Sequence, residues 1–110
     1  MTTNVETLKT EIEKEIAENT ILIYTKGTQE APRCGFTRRV CEFFQQYGHP
    51  FKTIDVLENP EKRQLLNEMF DWPTLPKVFI NGEFMGDDDT LLEMESKGEV
   101  APIIEKAFAL

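Results

Sequence analysis

Two cysteines in 110 residues are too few to staple a small secreted scaffold. Histidine and tryptophan each occur once. No apolar run approaches the length of a membrane span, and the first eighteen residues are charged throughout, with nothing like a signal peptide. Positive charge is also scarce: 12 Lys and Arg face 20 Asp and Glu, a formal net charge of -8. So acidic a surface repels phosphate backbones and anionic membranes, which argues against nucleic-acid or membrane binding as a main activity. No Ser-His-Asp set, phosphate loop or zinc-ligand spacing is present. The expectation is a cytoplasmic protein in a reducing compartment.

What is present suffices for one domain over residues 1–110. Hydrophobic residues make up 40% of the chain and charged residues 29%, an ordinary globular balance. Thr3-Asn4-Val5-Glu6 reads as a capping box, and Val5, Leu8, Ile12 and Ile16 follow on one helical face, with Asn19 as the stop. Ile21 to Tyr24 is a short β-branched run expected to form a buried strand that ends at Lys26-Gly27. A helix should open near Cys34, carry Phe36, Val40, Phe43, Phe44 and Tyr47 inward, and close at Gly48. Phe51 to Val56 suits a second strand. Asn59-Pro60 is a helix start that turns Leu65, Leu66, Met69 and Phe70 inward. Val78-Phe79-Ile80, Asn81-Gly82 and Glu83-Phe84-Met85 spell a hairpin with a type I′ turn. The end, from about Asp89, is helical with a break near Lys97-Gly98. A parallel βαβ unit plus a hairpin gives a small mixed sheet covered by helices on both faces.

Cys34 stands where a helix begins. The first turn presents free N–H groups and a partial positive charge, which favour a thiolate. Lys26 is placed to add a second positive charge. Arg33, Arg38 and Arg39 are either solvated helix charges or part of the same local field. Cys41 lies seven residues along the same helix, about 10 Å away by helical rise. A disulfide needs α-carbons within about 7 Å, so the pair cannot close and the site has one thiol. Cys41 reads as a structural residue flanking the apolar stripe. His49, in Gly48-His49-Pro50, reads as an exposed turn histidine. Asp87-Asp88-Asp89 reads as a solvated helix start rather than a cation site, since further oxygen ligands at calcium-loop spacing are absent.

Lys26-Gly27, Pro32 and Cys34-Gly35-Phe36-Thr37, with Trp72-Pro73-Thr74-Leu75-Pro76 and then Asn81-Gly82-Glu83 and Gly86, resemble the motifs of monothiol glutaredoxins of the Cys-Gly-Phe-Ser type. The resemblance covers nearly the whole chain. It implies a thioredoxin-like α/β fold with a four-stranded mixed sheet, helices on both faces and Pro76 in cis. It further implies that glutathione is the ligand, with Lys26 and Arg63 on carboxylate, Leu75 on the cysteinyl backbone, and Asp88 and Asp89 at the γ-glutamyl end. Monothiol members mostly bind a [2Fe-2S] cluster. Such a cluster wants about four thiolates, so Cys34 from each of two chains and two glutathiones would complete it in a cluster-bridged homodimer. Iron–sulfur assembly or recipient proteins would then be partners.

Three positions depart from the family pattern. Thr37 replaces a serine. Lys77 replaces a glutamine, adding positive charge near the ligand carboxylate. Asp87 replaces a glycine, adding bulk and negative charge where the backbone should approach the ligand closely. The leading expectation is an iron–sulfur carrier. The alternatives are a glutathione-dependent oxidoreductase that removes glutathione from protein thiols without a stable cluster, and a partner-binding adaptor with little chemistry of its own.

Overall fold

The computed structural model describes residues 5–109. The proposed cap at Thr3 and the terminal Leu110 lie outside them. Nine elements follow in chain order: α1 Val5–Glu18, β1 Ile21–Thr25, α2 Gly35–Tyr47, β2 Lys52–Asp55, α3 Pro60–Phe70, β3 Lys77–Ile80, β4 Glu83–Gly86, α4 Asp88–Ser96 and α5 Val100–Phe108. The sheet order is β2-β1-β3-β4, with β1 parallel to β2 and antiparallel to β3, and β3 antiparallel to β4.

The two central strands are buried at every position, as runs without polar alternation require. Their side chains alternate between two cores. Ile21, Ile23, Val78 and Ile80 pack with Val40, Phe43 and Phe44 of α2, Leu91 of α4, and Val100 and Ile104 of α5. Leu22, Tyr24 and Phe79 pack with Ile12 of α1, Leu66 of α3, Val56 and Leu75. Helices therefore cover both faces, α1 and α3 on one and α2, α4 and α5 on the other. Among the described residues no helix is long and apolar enough to cross a membrane.

Local signals set the boundaries. Asn59 caps α3, its Oδ1 accepting the Lys62 N–H at 3.2 Å, with Pro60 at the first helical position. Asn81 and Gly82 both have positive φ, 52° and 83°, as a type I′ turn demands. Gly48 ends α2 in the left-handed region. The Leu75–Pro76 bond is cis.

Three expectations change. Phe36 is 52% exposed: it belongs to the first turn of α2, before the helix reaches the sheet, so helical spacing does not bury it. Val5 is likewise exposed at the start of α1, while Leu8 and Ile12 carry that face's burial. His49 is not a free turn residue but half-buried, stacked on Phe108 of α5 with ring centroids 4.2 Å apart.

Candidate thiol and peptide-binding site

Cys34 is the N-cap of α2, in extended conformation, and its Sγ accepts the Thr37 N–H at 3.4 Å. The same sulfur lies 3.3 Å from Thr37 Oγ1, the thiol donating. Thr37 is fully buried, and its Oγ1 also accepts the Lys26 N–H at 3.2 Å. A hydroxyl can turn, so Thr37 can donate to a deprotonated sulfur as readily as it accepts from a thiol. The hydroxyl at position 37 thus ties the sulfur to the end of β1.

The loop before Cys34 is pinched at its neck. Gly27 bridges to Pro32, and the Arg33 N–H donates to Lys26 O at 2.8 Å. A Cβ on Gly27 would lie 2.5 Å from Arg33 N and 2.6 Å from Ala31 O, and φ there is +89°, so only glycine closes this neck. The Gly27 N–H is held by Asp55 Oδ1 at 3.0 Å, fixing the neck to β2.

Beside the sulfur lies an open cleft of about 350 Å³, within the ordinary size range of small-molecule sites. Lys26, Arg63, Leu75, Asp88 and Asp89 all line it, joined by Phe36, Pro73, Thr74 and Asp87. The five ligand positions expected from sequence, drawn from β1's end, α3, the 72–76 loop and α4, therefore share one cavity. Cys34 is not part of its wall and connects to it through Thr37 and Lys26. The cleft presents cationic side chains from two elements and carboxylates from a third. That array suits a zwitterionic peptide.

The carboxylates are individually placed. Asp87 caps α4: its Oδ1 accepts Thr90 N–H and Thr90 Oγ1–H, both at 3.2 Å, and its Oδ2 accepts Thr74 Oγ1–H at 3.3 Å. Asp87 has φ -110° and ψ -166°, an extended backbone open to any residue. The glycine demanded here is Gly86, with φ +90° and Thr90 atoms within 3.1 Å of a would-be Cβ. The departure at 87 thus introduces no backbone strain, and its charge is engaged in capping.

Asp88 is 4% exposed, so the acidic run is not simply solvated. Burial raises its carboxyl above the usual range, Asp89 and Asp87 add to this, and the Arg39 guanidinium opposes it. Arg39 Nη1 lies 3.1 Å from Asp88 Oδ2 and 3.8 Å from Asp89 Oδ1, and the guanidinium sits over the Phe36 ring. Arg39 is thus the member of the basic cluster with a defined task, holding α2 to the acidic start of α4. Sequence order pointed to the cluster but not to this pairing, because the partners are 49 positions apart.

Lys77 is not a cleft residue. It is completely buried, and its Nζ donates to Asn67 Oδ1 at 2.6 Å and Thr74 O at 2.8 Å. In β3 its position puts it on the inner face toward α3, away from solvent. Cys41 is 3% exposed, and burial pushes its thiol up, with Glu30 and Glu42 adding to the shift. The sequence reading of Cys41 as structural agrees with this placement.

Known proteins resemble this chain in sequence and in fold. The glutaredoxin family profile matches residues 21–85. An uncharacterized ycf64-like monothiol glutaredoxin of Synechocystis sp. is 40% identical over 92% of this chain and 94% of its own length. The solution structure of reduced poplar apo GrxS14 superposes with a TM-score of 0.81 at 37% identity, covering 91% of this chain and 92% of that one. A buckwheat glutaredoxin–glutathione complex shares the fold, with a TM-score of 0.84 at 22% identity over 96% of this chain and 94% of that one.

Proposed function

The chain belongs to the glutaredoxin family, among its monothiol members, and from that premise we propose that it binds glutathione in the cleft beside Cys34 and carries a [2Fe-2S] cluster between two chains. The observation that carries the reading is the gathering of Lys26, Arg63, Leu75, Asp88 and Asp89 around one cavity next to a helix-capping thiol. Glutathione is a tripeptide with two carboxylates and one ammonium. Lys26 and Arg63 suit a carboxylate, the Leu75 backbone suits the cysteinyl residue, and Asp88 and Asp89 suit the ammonium of the γ-glutamyl end.

The cluster reading follows from the donor set. Cys34 is half-buried and able to reach a ligand, whereas Cys41 is enclosed in the core with its thiol held in the protonated direction. One chain therefore offers one thiolate, and a [2Fe-2S] cluster takes four ligands. Two Cys34 sulfurs and two glutathione sulfurs complete the set. The cluster is cargo in this scheme, passed on to iron–sulfur assembly or recipient proteins, and its loss separates the two chains. The cytoplasm, where glutathione and Cys34 both stay reduced, is the setting we assign.

Anaerobic reconstitution with iron, sulfide and a thiol reductant, with and without glutathione, tests the proposal by visible absorbance and sizing. A coloured dimer that forms only with glutathione is the expected product. A colourless protein, or a coloured monomer lacking glutathione, sinks the cluster assignment.

The accessible single thiol also favours a second reading, removal of glutathione from protein thiols. Cys34 thiolate would attack the glutathionyl sulfur of the mixed disulfide and release the protein thiolate. A second glutathione thiolate would then attack the Cys34–glutathione disulfide, freeing Cys34 and leaving oxidised glutathione. Neither step needs a second protein thiol.

A further inference from the structure

Lys77 is a fully buried ammonium whose two hydrogen-bond partners are neutral: the Asn67 amide oxygen of α3 and the Thr74 carbonyl. Buried ammonium groups are costly without a carboxylate, so a sidechain kept in this position calls for a reason. Its surroundings supply one. Thr74 is gripped from two sides, its carbonyl by Lys77 and its hydroxyl by Asp87, whose other oxygen caps α4. Asn67, Lys77, Thr74, Asp87 and Thr90 thus form one unbroken run of hydrogen bonds. It crosses α3, which carries Arg63, the loop that carries Leu75, and the start of α4, which carries Asp88 and Asp89. Those are three of the elements lining the cleft. The two members of the run that flank Thr74, Lys77 and Asp87, are both positions where this chain departs from the family pattern.

We propose that Lys77 is a positioning residue, whose ammonium fixes the Thr74–Leu75 segment between α3 and α4 and thereby sets how tightly the cleft holds an anionic peptide. The affinity part of the proposal rests on the ligand reading given above; the placement of the segment does not. Charge-assisted hydrogen bonds are about twice as strong as neutral ones, so the grip depends on the ammonium keeping its proton. Burial, and then the Arg63 guanidinium, pull that group down to about 8. The charged and titratable groups around it are Arg63 on α3, the Tyr24 phenol in register on β1, bonded to Glu15 of α1, and, across Thr74, Asp87 of α4. Burial and Glu15 push the Tyr24 phenol far above its usual range, so it does not titrate near Lys77. The grip on Thr74 therefore weakens as pH rises through about 8.

The only tryptophan, Trp72, opens the same loop, and its Nε1 is enclosed without a hydrogen-bond partner. It packs edge-on against Phe84 and so reports the loop's placement without any ligand. The experiment records Trp72 emission from about pH 6.5 to about 9 for the unaltered protein, Lys77→Gln and Lys77→Met. Binding of S-methylglutathione, which has no titrating thiol, is measured calorimetrically over the same range. Circular dichroism confirms that each variant is folded. The unaltered protein should show a sigmoidal emission change with midpoint near 8 that both variants lack. Its affinity should fall severalfold across that step, while Lys77→Met should bind about tenfold more weakly at low pH. Lys77→Gln, which keeps a donor, should recover part of that loss and show no pH step. Matching emission profiles and equal affinities for the unaltered and Lys77→Gln proteins overturn the proposal. A Lys77-dependent emission step without S-methylglutathione binding by any variant supports the positioning of the loop and overturns the ligand reading instead.

Discussion

Helix α2 starts at Cys34 and helix α4 at Asp87, and in both the cap is an extended residue whose side chain accepts the N–H of a threonine three positions on. The bonds are 3.4 Å to sulfur at Thr37 and 3.2 Å to carboxylate oxygen at Thr90. Both threonine hydroxyls also turn back to their cap. The backbone solution is shared and the chemistry is opposite. A carboxylate is among the best helix caps, and at Asp87 every oxygen is engaged. Sulfur is a weak acceptor and stabilises a helix start poorly. Both caps are half-buried residues, but the Cys34 sulfur bonds only within its own helix start, to Thr37, while the Asp87 carboxylate is held by the Thr74 hydroxyl and by the N–H and hydroxyl of Thr90. One helix start is arranged for reaction and the other for rigidity, and the cleft lies between them.

Separating the capping role of Cys34 from its sulfur chemistry is the sharpest way to break the comparison. Cys34→Ser keeps an N-cap, so the fold should be as stable or slightly more so, yet thiol transfer and cluster binding should vanish. Cys41→Ser should do the reverse. It should retain both activities but lose about 1–3 kcal/mol on denaturation, for placing a hydroxyl in the core. Mixed-disulfide reduction, visible absorbance and urea melts read these together, and equal activity loss in the two variants would refute the assignment of Cys34.

Truncating each cap comes next in size. Asp87→Ala should cost about 1 kcal/mol, as typical cap removals do, and Cys34→Ala only a few tenths. Urea denaturation of the pair decides it, and a larger loss at Cys34 would show that sulfur is the stronger cap.

Acid titration compares the buried acid of α4 with its supports. Burial raises the Asp88 carboxyl in the folded chain above its ordinary value of 3.8. In the window opening at 3.8 and extending upward, the folded state therefore holds more protons than the unfolded state. Stability contributed by Asp88 is thus greatest below that window and falls as pH rises through it. Asp88→Asn should flatten this part of the stability profile and raise stability at neutral pH relative to the unaltered protein. An unchanged slope between the two proteins would show that Asp88 ionises as an exposed carboxyl does.

The smallest effect concerns charge alone. Asp87→Asn keeps a capping oxygen and removes a negative charge from the cleft wall. It should leave stability within a few tenths of a kcal/mol and tighten glutathione binding by up to about fivefold at low salt, less at high salt. Calorimetry at two salt concentrations measures it. No gain at either would mean that capping already neutralises the Asp87 carboxylate toward the ligand.

Much of this fold was legible because its signals are local. Asn59-Pro60, Asn81-Gly82 and Gly48 each need only their neighbours to specify a cap or a turn. The candidate site was legible as a set of residues that meet: Lys26, Arg63, Leu75, Asp88 and Asp89 line one cleft, with Cys34 outside its wall. What escaped was decided by where an element ends or by a distant partner. Phe36 has the right helical phase for the core and lies one turn too early. Lys77 and His49 carry polar groups that sequence assigns to solvent, but Asn67 and Thr74 receive the first and Phe108 covers the second. The tie between Arg39 and Asp88 joins two helices with no sequence signal linking them.

The pinched neck at Gly27 has a consequence for how this protein can diversify. The bridge to Pro32 and the bond from Arg33 to Lys26 fasten both ends of the Thr28–Ala31 tip below any residue that might be inserted there. Chain added at Gln29 or Glu30 would hang beyond the fastening, and Cys34 would keep its register with Lys26 and Thr37. The entropic cost of a longer tip grows only with the logarithm of its length. The tip is therefore a place where lineages, or engineers, can graft a recognition segment beside the sulfur without disturbing the sulfur itself.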